Sequence, residues 1–222
     1  MSSNNSTRRG CKDVFHAFLV KGASFAGKLE IPCIEYTDAI PDHLIPFSKA
    51  VSGHDFDAWV HFYQDDSEFV RLWNTPQKYL PILQRYQGVI TPDFSLYRDM
   101  PLVQQQWNIY RSRAIGHWLH KNGVPIIPNI RFGDERTYEP SCCGIPQGGT
   151  IAVGSHGCIK LVRERECFER GLNYVVEHLH PQKIVVYGTA PDSVFGQYRE
   201  VGINIVQFDS DYSIAHSRGV SA

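Results

Sequence analysis

Short apolar runs alternate with amphipathic stretches along most of the chain. Apolar runs rich in β-branched or aromatic residues predict strands at 29–34, 56–63, 88–91, 124–130, 150–157, 183–187 and 202–207. Helical spacing and helix-start signals predict helices at 42–51, 67–73, 77–86, 102–120, 163–178 and 192–200. A further apolar run at 14–19 is compatible with an edge strand.

Strands that alternate with helices in this way predict βαβ units and a mostly parallel α/β sheet. Six or seven strand candidates suit a TIM-barrel-like (β/α) barrel, complete or incomplete, and an open doubly wound sheet is the alternative that the pattern leaves open. No linker marks a second domain. We therefore expect one α/β domain over 14–211, a disordered tail at 1–13 and a C-terminal tail at 212–222.

Composition limits the partners and the location. The 222 residues are 42% hydrophobic with a net charge of -1, so no global field favours nucleic acid or an anionic membrane. No apolar run approaches the roughly 18–20 residues that span a bilayer, and the polar start lacks the apolar segment of a signal peptide. We expect a cytoplasmic protein with six reduced cysteines and no membrane partner, and the sequence does not predict its oligomeric state.

Polar side chains follow most of the predicted strands at once. The carboxyl ends of parallel strands meet at one edge of the sheet, where α/β proteins bind their ligands. For any one residue taken alone, capping of the next helix is the alternative. The residues concerned are Asp65, Asp66, Asp93, Ser95, Asn129, Arg131, Asp134, Ser155, His156 and Thr189.

Three of these residues are candidate catalytic groups. Asp93 follows Pro92 at a sharp strand exit and can serve as a base or as a metal ligand. His156 lies between two glycines, so its imidazole can act as acid or base beside a closely approaching ligand, with a structural histidine as the alternative. Asp134 is expected to orient Arg131 or His156.

The remaining candidates would hold the ligand. Arg131 can bind a phosphate or carboxylate through two hydrogen bonds, and an ion pair with Asp134 or Glu135 is the alternative. The nineteen-residue segment 131–149 is predicted to be an active-site lid whose glycine-rich end offers backbone amides to an anion. The expected ligand-binding set is Asn129, Arg131, Gly148, Gly149, Ser155 and Thr189.

The thiols offer a second chemistry. Cys142, Cys143, His156 and Cys158 could together hold zinc, but adjacent cysteines lack the usual Cys-x2-Cys spacing, so buried free thiols are the favoured interpretation. A cysteine nucleophile activated by His156 is a further hypothesis. No phosphate loop of the Gly-Lys-Ser/Thr type and no dinucleotide fingerprint follows a strand, so a divalent metal is the one cofactor hypothesis left open.

The predicted helix 102–120 is expected to pack through an apolar stripe that includes Val103 and Trp107. Basic residues along or near this helix are expected on its solvated face. These residues are Arg98, Arg111, Arg113 and Lys121.

Four segments carry a resemblance to a known family. They are 55–66 (DFDAWVHFYQDD), 88–95 (GVITPDFS), 125–134 (PIIPNIRFGD) and 153–157 (VGSHG). These segments resemble a family of bacterial and phage proteins that is catalogued only as a domain of unknown function and is associated with phages and mobile elements. The resemblance covers about residues 29–207. It implies a single cytoplasmic domain in a mobile-element setting and carries over no activity and no catalytic residues.

Together these patterns favour an enzyme, namely a hydrolase or transferase that acts on a nucleotide or another phosphorylated small ligand. In this hypothesis Asp93 or His156 is the base, while Arg131 and the loop amides hold the anion. A module that binds a nucleotide or peptide without chemistry is the first alternative. A nucleic-acid-processing accessory protein is the second, since a local basic patch is compatible with a nearly neutral chain.

Overall fold

The computed structural model describes residues 7, 8, 10–211 and 213. Its strands are β1 (Thr7–Arg8), β2 (Cys11–Lys12), β3 (Phe25–Ala26), β4 (Ile31–Pro32), β5 (Leu44–Pro46), β6 (Trp59–His61), β7 (Gly88–Ile90), β8 (Ile126–Ile127), β9 (Thr150–Gly154), β10 (Lys183–Tyr187) and β11 (Asn204–Phe208). Its α-helices are α1 (Phe47–Ala50), α2 (Asp66–Asn74), α3 (Pro76–Leu83), α4 (Leu102–Lys121), α5 (Glu135–Cys142), α6 (Val162–Leu179) and α7 (Asp192–Glu200). A 3₁₀-helix covers Ala17–Val20.

The structure describes only part of each of the two predicted tails. Within the predicted N-terminal tail, β1 pairs with β2 in antiparallel fashion, while residues 1–6 and 9 lie outside the described residues. Of the predicted C-terminal tail 212–222, only Ser213 is described.

Strands β5 to β11 run parallel in chain order. One sheet has the order β5-β6-β7-β8 and a second has the order β11-β10-β9. A parallel bridge between Asn129 and Ala152 joins the two sheets, and Ile130 N lies 2.8 Å from Ala152 O. From β5 to β11, at least one α-helix lies between each strand and the next. The predicted α/β class with a mostly parallel sheet is confirmed, and no pairing of β5 with β11 occurs within the described part of the chain.

Alternate residues of the strands belong to different hydrophobic clusters. Val60, Val89 and Ile126 pack against helices α1 to α4, and Ile151 and Val186 pack against α6 and α7. The intervening strand residues form a separate cluster, to which each of the strands β5 to β11 contributes one residue. These residues are Leu44, Trp59, Ile90, Ile127, Ala152, Val185 and Phe208.

Three local predictions are wrong. The predicted helix 42–51 contains strand β5 followed by the single turn of α1. The predicted loop 131–149 contains helix α5, which begins after Asp134 because the Asp134 carboxylate accepts a hydrogen bond from Arg136 N. Val103 and Trp107, predicted to lie in the core, are 69% and 39% exposed. The buried face of α4 lies elsewhere on the helix.

Within the described residues, no helix is both long enough and apolar enough to cross a membrane.

Candidate functional site

A cavity of about 610 Å³ opens at the carboxyl ends of the central strands. Its walls come from the segments that follow β7, β8 and β9 and from the first turns of α6. This is the sheet edge at which parallel α/β proteins bind ligands. The polar side chains that line it are Asp93, Tyr97, Arg98, Asp99, Arg131, His156, Cys158, Arg163, Glu164 and Cys167. Of the predicted residues, the structure therefore brings Asp93, Arg131 and His156 together.

Asp93 and Arg131 form the fixed centre of the cavity wall. Arg131 Nη1 donates to Asp93 Oδ2 at 2.5 Å, and Asn129 Nδ2 donates to Asp93 Oδ1 at 2.6 Å. The Asp93 side chain is 9% exposed, whereas that of Arg131 is 31% exposed. Burial raises the pKa of Asp93, while the Arg131 charge and the two hydrogen bonds oppose that rise. Both Asp93 oxygens are engaged, so Asp93 holds in place an arginine whose side chain lines the cavity.

Asn129 is fixed by hydrogen bonds at each of its polar groups. Its backbone N–H donates to Thr91 Oγ1 at 2.9 Å, and its carbonyl accepts from Arg113 Nη1 at 3.0 Å. Its side-chain oxygen accepts from Tyr63 Oη at 2.9 Å, so the amide nitrogen must point at Asp93. The Asp93 cluster, meaning Tyr63, Asn129, Asp93 and Arg131, is thus one continuous chain of donors and acceptors.

Arg113 lies buried behind the Asp93 cluster, at 2% exposure, and not on a solvated helix face as the sequence predicted. Its guanidinium donates to two carbonyl oxygens, those of Asn129 and Ser141, the second at 2.6 Å. Burial lowers the pKa of Arg113 to about 10, so it stays protonated at neutral pH. No carboxylate pairs with it among the described residues, so its charge adds to the positive potential behind the cavity.

Two more arginines lie at the cavity rim. Arg98, also predicted to be solvated, forms an ion pair with Glu164 and donates to Cys167 Sγ at 3.0 Å. Arg163 is exposed and has no ion-pair partner in the described part of the chain. Beside the fixed Arg131, the rim therefore presents one arginine held by an ion pair, Arg98, and one exposed arginine, Arg163.

Other predicted site residues lie outside the cavity lining. Asp134 caps α5 and binds Arg136 at 2.7 Å, and Arg131 is oriented by Asp93 instead. The Ser155 hydroxyl is fully buried and donates to Thr189 O at 2.7 Å, which ties two strand ends together. The Thr189 side chain is exposed beside this contact.

Gly148 and Gly149 lie at the opposite end of the sheet. They directly precede β9, whose carboxyl end at Gly154 lines the cavity. Gly148 has φ +77, which favours glycine, and its N–H donates to Leu179 O at 2.8 Å. A Cβ on Gly149 would lie 2.9 Å from Thr37 O. Both glycines therefore serve the turn that leads into β9, with no access to the cavity.

The cysteines and His156 do not form a metal-binding group. No cluster of three or more potential metal ligands exists among the described residues. Burial raises the pKa of Cys142 to about 12 and that of Cys143 to about 11, and it also raises the pKa of Cys158. Thiols held in the protonated form are poor nucleophiles and poor zinc ligands.

A second charged group, the His61 cluster, comprises His61, Lys49, Tyr187 and Asp211 at the ends of other strands. Asp211 lies 3.2 Å from Lys49 Nζ and 3.8 Å from His61 Nε2. Burial lowers the pKa of His61 to about 4, with Asp211 opposing and Lys49 reinforcing the shift. The His61 ring packs against the rings of Tyr63 and Tyr187, which stack on each other with their centroids 4.6 Å apart. None of its members lines the cavity.

Sequence reasoning missed Tyr63, Arg98, Arg113 and Glu164. Arg113 carried a signal, because it lies four residues after the buried Ile109 and so shares its helix face. Tyr63 ends the predicted strand 56–63, where an aromatic residue is also typical of a core position. Arg98 and Glu164 carried no local signal that separates them from solvated charges.

The fold and the cavity define an α/β protein with a charged, ligand-sized cavity at the carboxyl ends of parallel strands. The chain belongs to the family described as a domain of unknown function (DUF4417), whose model matches residues 23–209. It is 32% identical to the Gene 1 protein of Mycobacterium phage L5 over 191 residues, covering 84% of this chain and 82% of the phage protein. The Gene 1 protein of Mycobacterium phage D29 is also 32% identical over 190 residues, covering 82% and 68%. The predicted resemblance to a phage-associated family is confirmed, and no solved structure matches significantly.

Proposed function

We propose that the cavity binds a small phosphorylated ligand, such as a mononucleotide, through Arg131 and the arginines at its rim. The observation that carries this proposal is the Arg131 side chain, which is 31% exposed, is fixed by a buried carboxylate and lines a cavity of about 610 Å³. A fixed, planar guanidinium matches the oxygens of a phosphate and loses little entropy on binding.

The charges around the cavity favour an anion. Arg98, Arg131 and Arg163 balance Asp93, Asp99 and Glu164 in number, but Asp93 and Glu164 are each already bonded to an arginine. The buried Arg113 adds a charge that pairs with no acidic side chain in the part of the chain that the structure describes. Helix α6 also begins at the cavity, and its N-cap residue Leu161 offers no side-chain cap to the first N–H groups. These groups together support binding of a negative ligand.

The volume and the apolar lining suit an organic group attached to the phosphate. A cavity of about 610 Å³ lies within the roughly 300–1,000 Å³ range of small-molecule sites. Leu96, Ile130, Phe132 and Phe168 supply apolar walls beside the charged groups. A nucleobase or sugar can pack there while its phosphate reaches Arg131.

His156 is the group best placed for chemistry on such a ligand. It lines the cavity and is exposed, while both Asp93 oxygens are already bonded. In the hydrolase or transferase form of the proposal, His156 moves the proton. In the binding-module form, the same cavity holds the ligand unchanged. Retained binding with lost turnover in His156→Gln would support the enzyme.

Calorimetric titration with inorganic phosphate and with adenosine monophosphate tests the proposal. Wild type is expected to bind both probes, and Arg131→Met to bind at least roughly tenfold more weakly because a charge-assisted bidentate contact is lost. Lys49→Met is the control, since Lys49 belongs to the His61 cluster. Equal affinity of wild type and Arg131→Met, or no binding by wild type, would overturn it.

We also infer that the seven strands curve into an incomplete barrel. The hydrophobic cluster to which each of the strands β5 to β11 contributes one residue supports this curvature. So does the contact between Lys49, which follows β5, and Asp211, which follows β11. A flat sheet of seven strands would separate its edges by about 29 Å at the usual strand spacing. Spin labels at Ser48 and Ser210 are expected to lie within about 15 Å, and a distance near that of the flat sheet would contradict the barrel.

A further inference from the structure

The Arg98–Glu164 ion pair joins two walls of the cavity. Arg98 belongs to the segment between β7 and α4, and Glu164 lies in the first turn of α6. Their side chains are 33% and 37% exposed, whereas Asp93 in the fixed pair is 9% exposed. A ligand entering the cavity can therefore reach the Arg98–Glu164 pair, while the Asp93 carboxylate is already enclosed.

We propose that Glu164 is a specificity-determining residue that competes with the ligand for Arg98. This inference rests on the proposed anion-binding function. An entering anion must displace the Glu164 carboxylate from Arg98 or accept its repulsion. The cost of displacing Glu164 is the same for any anion, but the repulsion by its carboxylate is about twice as large for a dianion as for a monoanion. Glu164 therefore disfavours a terminal phosphate monoester relative to a monoanionic phosphodiester, and the ligand class is a phosphodiester.

The two acids on the cavity wall thus have different effects. Asp93 positions Arg131 and stays bound to it, because both of its oxygens are satisfied within the buried cluster. Glu164 receives a bond from Arg98 at a site that the ligand can reach, so its charge opposes every anion. Because this repulsion is largest for the most strongly charged ligands, Glu164 gives specificity against dianions.

The test compares inorganic phosphate at pH 8, which is mainly dianionic, with dimethyl phosphate, a monoanion, by calorimetric titration. Glu164→Gln keeps the length of the side chain and removes its charge. We expect roughly threefold to tenfold tighter binding of phosphate, a smaller gain for dimethyl phosphate, and so a stronger preference for the dianion. Glu169→Gln is the matched control, because Glu169 lies on the same helix and pairs with Arg165 outside the cavity lining.

A purely structural role for Glu164 predicts the reverse result. If the ion pair only holds α6 against the β7–α4 segment, Glu164→Gln and Glu164→Ala will lower the melting temperature and leave both affinities equal or weaker. That outcome overturns this inference, and the proposed function survives if wild type still binds phosphate and Arg131→Met does not. Absence of phosphate binding in wild type and in both Glu164 variants overturns both. Tighter binding in both variants supports competition.

Discussion

The two charged clusters at the carboxyl ends of the strands differ in what their charged groups face. In the Asp93 cluster a buried carboxylate holds Arg131, whose side chain is 31% exposed at a cavity. In the His61 cluster the ionisable ring is buried, and its partners Asp211 and Lys49 are 45% and 67% exposed at the surface. The first arrangement presents a fixed charge to a ligand-sized space. The second arrangement buries the His61 ring and exposes the charged groups of Asp211 and Lys49 to solvent. A position at the end of a strand is therefore not enough to define a binding site.

Removal of the Asp93 carboxylate is expected to give the largest effect. Asp93→Ala leaves Arg131 and the Asn129 amide without their partner in a buried setting, and we expect a loss of about 3 kcal/mol in the free energy of unfolding. Urea unfolding at pH 7 measures it. Asp93→Asn keeps the volume and one acceptor, so a smaller loss is expected. A loss below about 1 kcal/mol in Asp93→Ala would show that Arg131 does not depend on this carboxylate.

Acid is expected to weaken the protein through the His61 cluster. The pKa of His61 falls from 6.5 to about 4 on folding because burial favours the neutral ring. The neutral ring's stabilising contribution is complete above pH 6.5 and is lost as the pH falls toward 4. We expect a loss of about 2 kcal/mol between pH 7 and pH 4.5 from this residue. His61→Gln should lose less over the same interval in parallel urea titrations, and an unchanged pH profile would contradict the assignment.

The sequence predicted the cavity residues that depend only on topology. Asp93, Arg131 and His156 each follow a strand, and parallel strands bring their carboxyl ends together. The same topology explains the failure at Gly148 and Gly149. The chain leaves β8 at the carboxyl end, passes through α5 and must enter β9 at its amino end, so these glycines cannot reach the cavity.

Residues whose roles depend on packing were not predictable in this way. In the sequence, a charged residue on the buried face of a helix cannot be distinguished from a surface charge unless the buried face is known. The apolar stripe predicted for α4 included Val103 and Trp107, which are exposed. Arg113 was therefore misplaced. The Arg98–Glu164 pair joins residues far apart in the chain, and no local pattern connects them.

Removal of the Tyr63 hydroxyl is expected to weaken phosphate binding, whereas removal of the Tyr187 hydroxyl in the His61 cluster is not. Tyr63→Phe removes the donor to Asn129 Oδ1 and leaves that oxygen unsatisfied, with an expected cost of about 1 kcal/mol in stability. The Asn129 amide is then less firmly directed at Asp93, so phosphate affinity should fall roughly twofold to threefold. Tyr187→Phe is the matched control, because its hydroxyl bonds Asp211 in the His61 cluster. Equal phosphate affinities in the two variants would show that the Tyr63 hydroxyl does not position Arg131.

The smallest effect is expected at the exposed edge of the His61 cluster. Asp211→Ala removes the ion pair with Lys49, but both side chains are well exposed, so the loss in unfolding free energy should stay below about 1 kcal/mol and shrink in high salt. Phosphate affinity should be unchanged, since Asp211 does not line the cavity. Urea unfolding at two salt concentrations, with phosphate titration alongside, gives both quantities. If phosphate affinity instead falls as far as it does in Arg131→Met, the two clusters act as one site. The Lys49–Asp211 contact would then influence the position of Arg131.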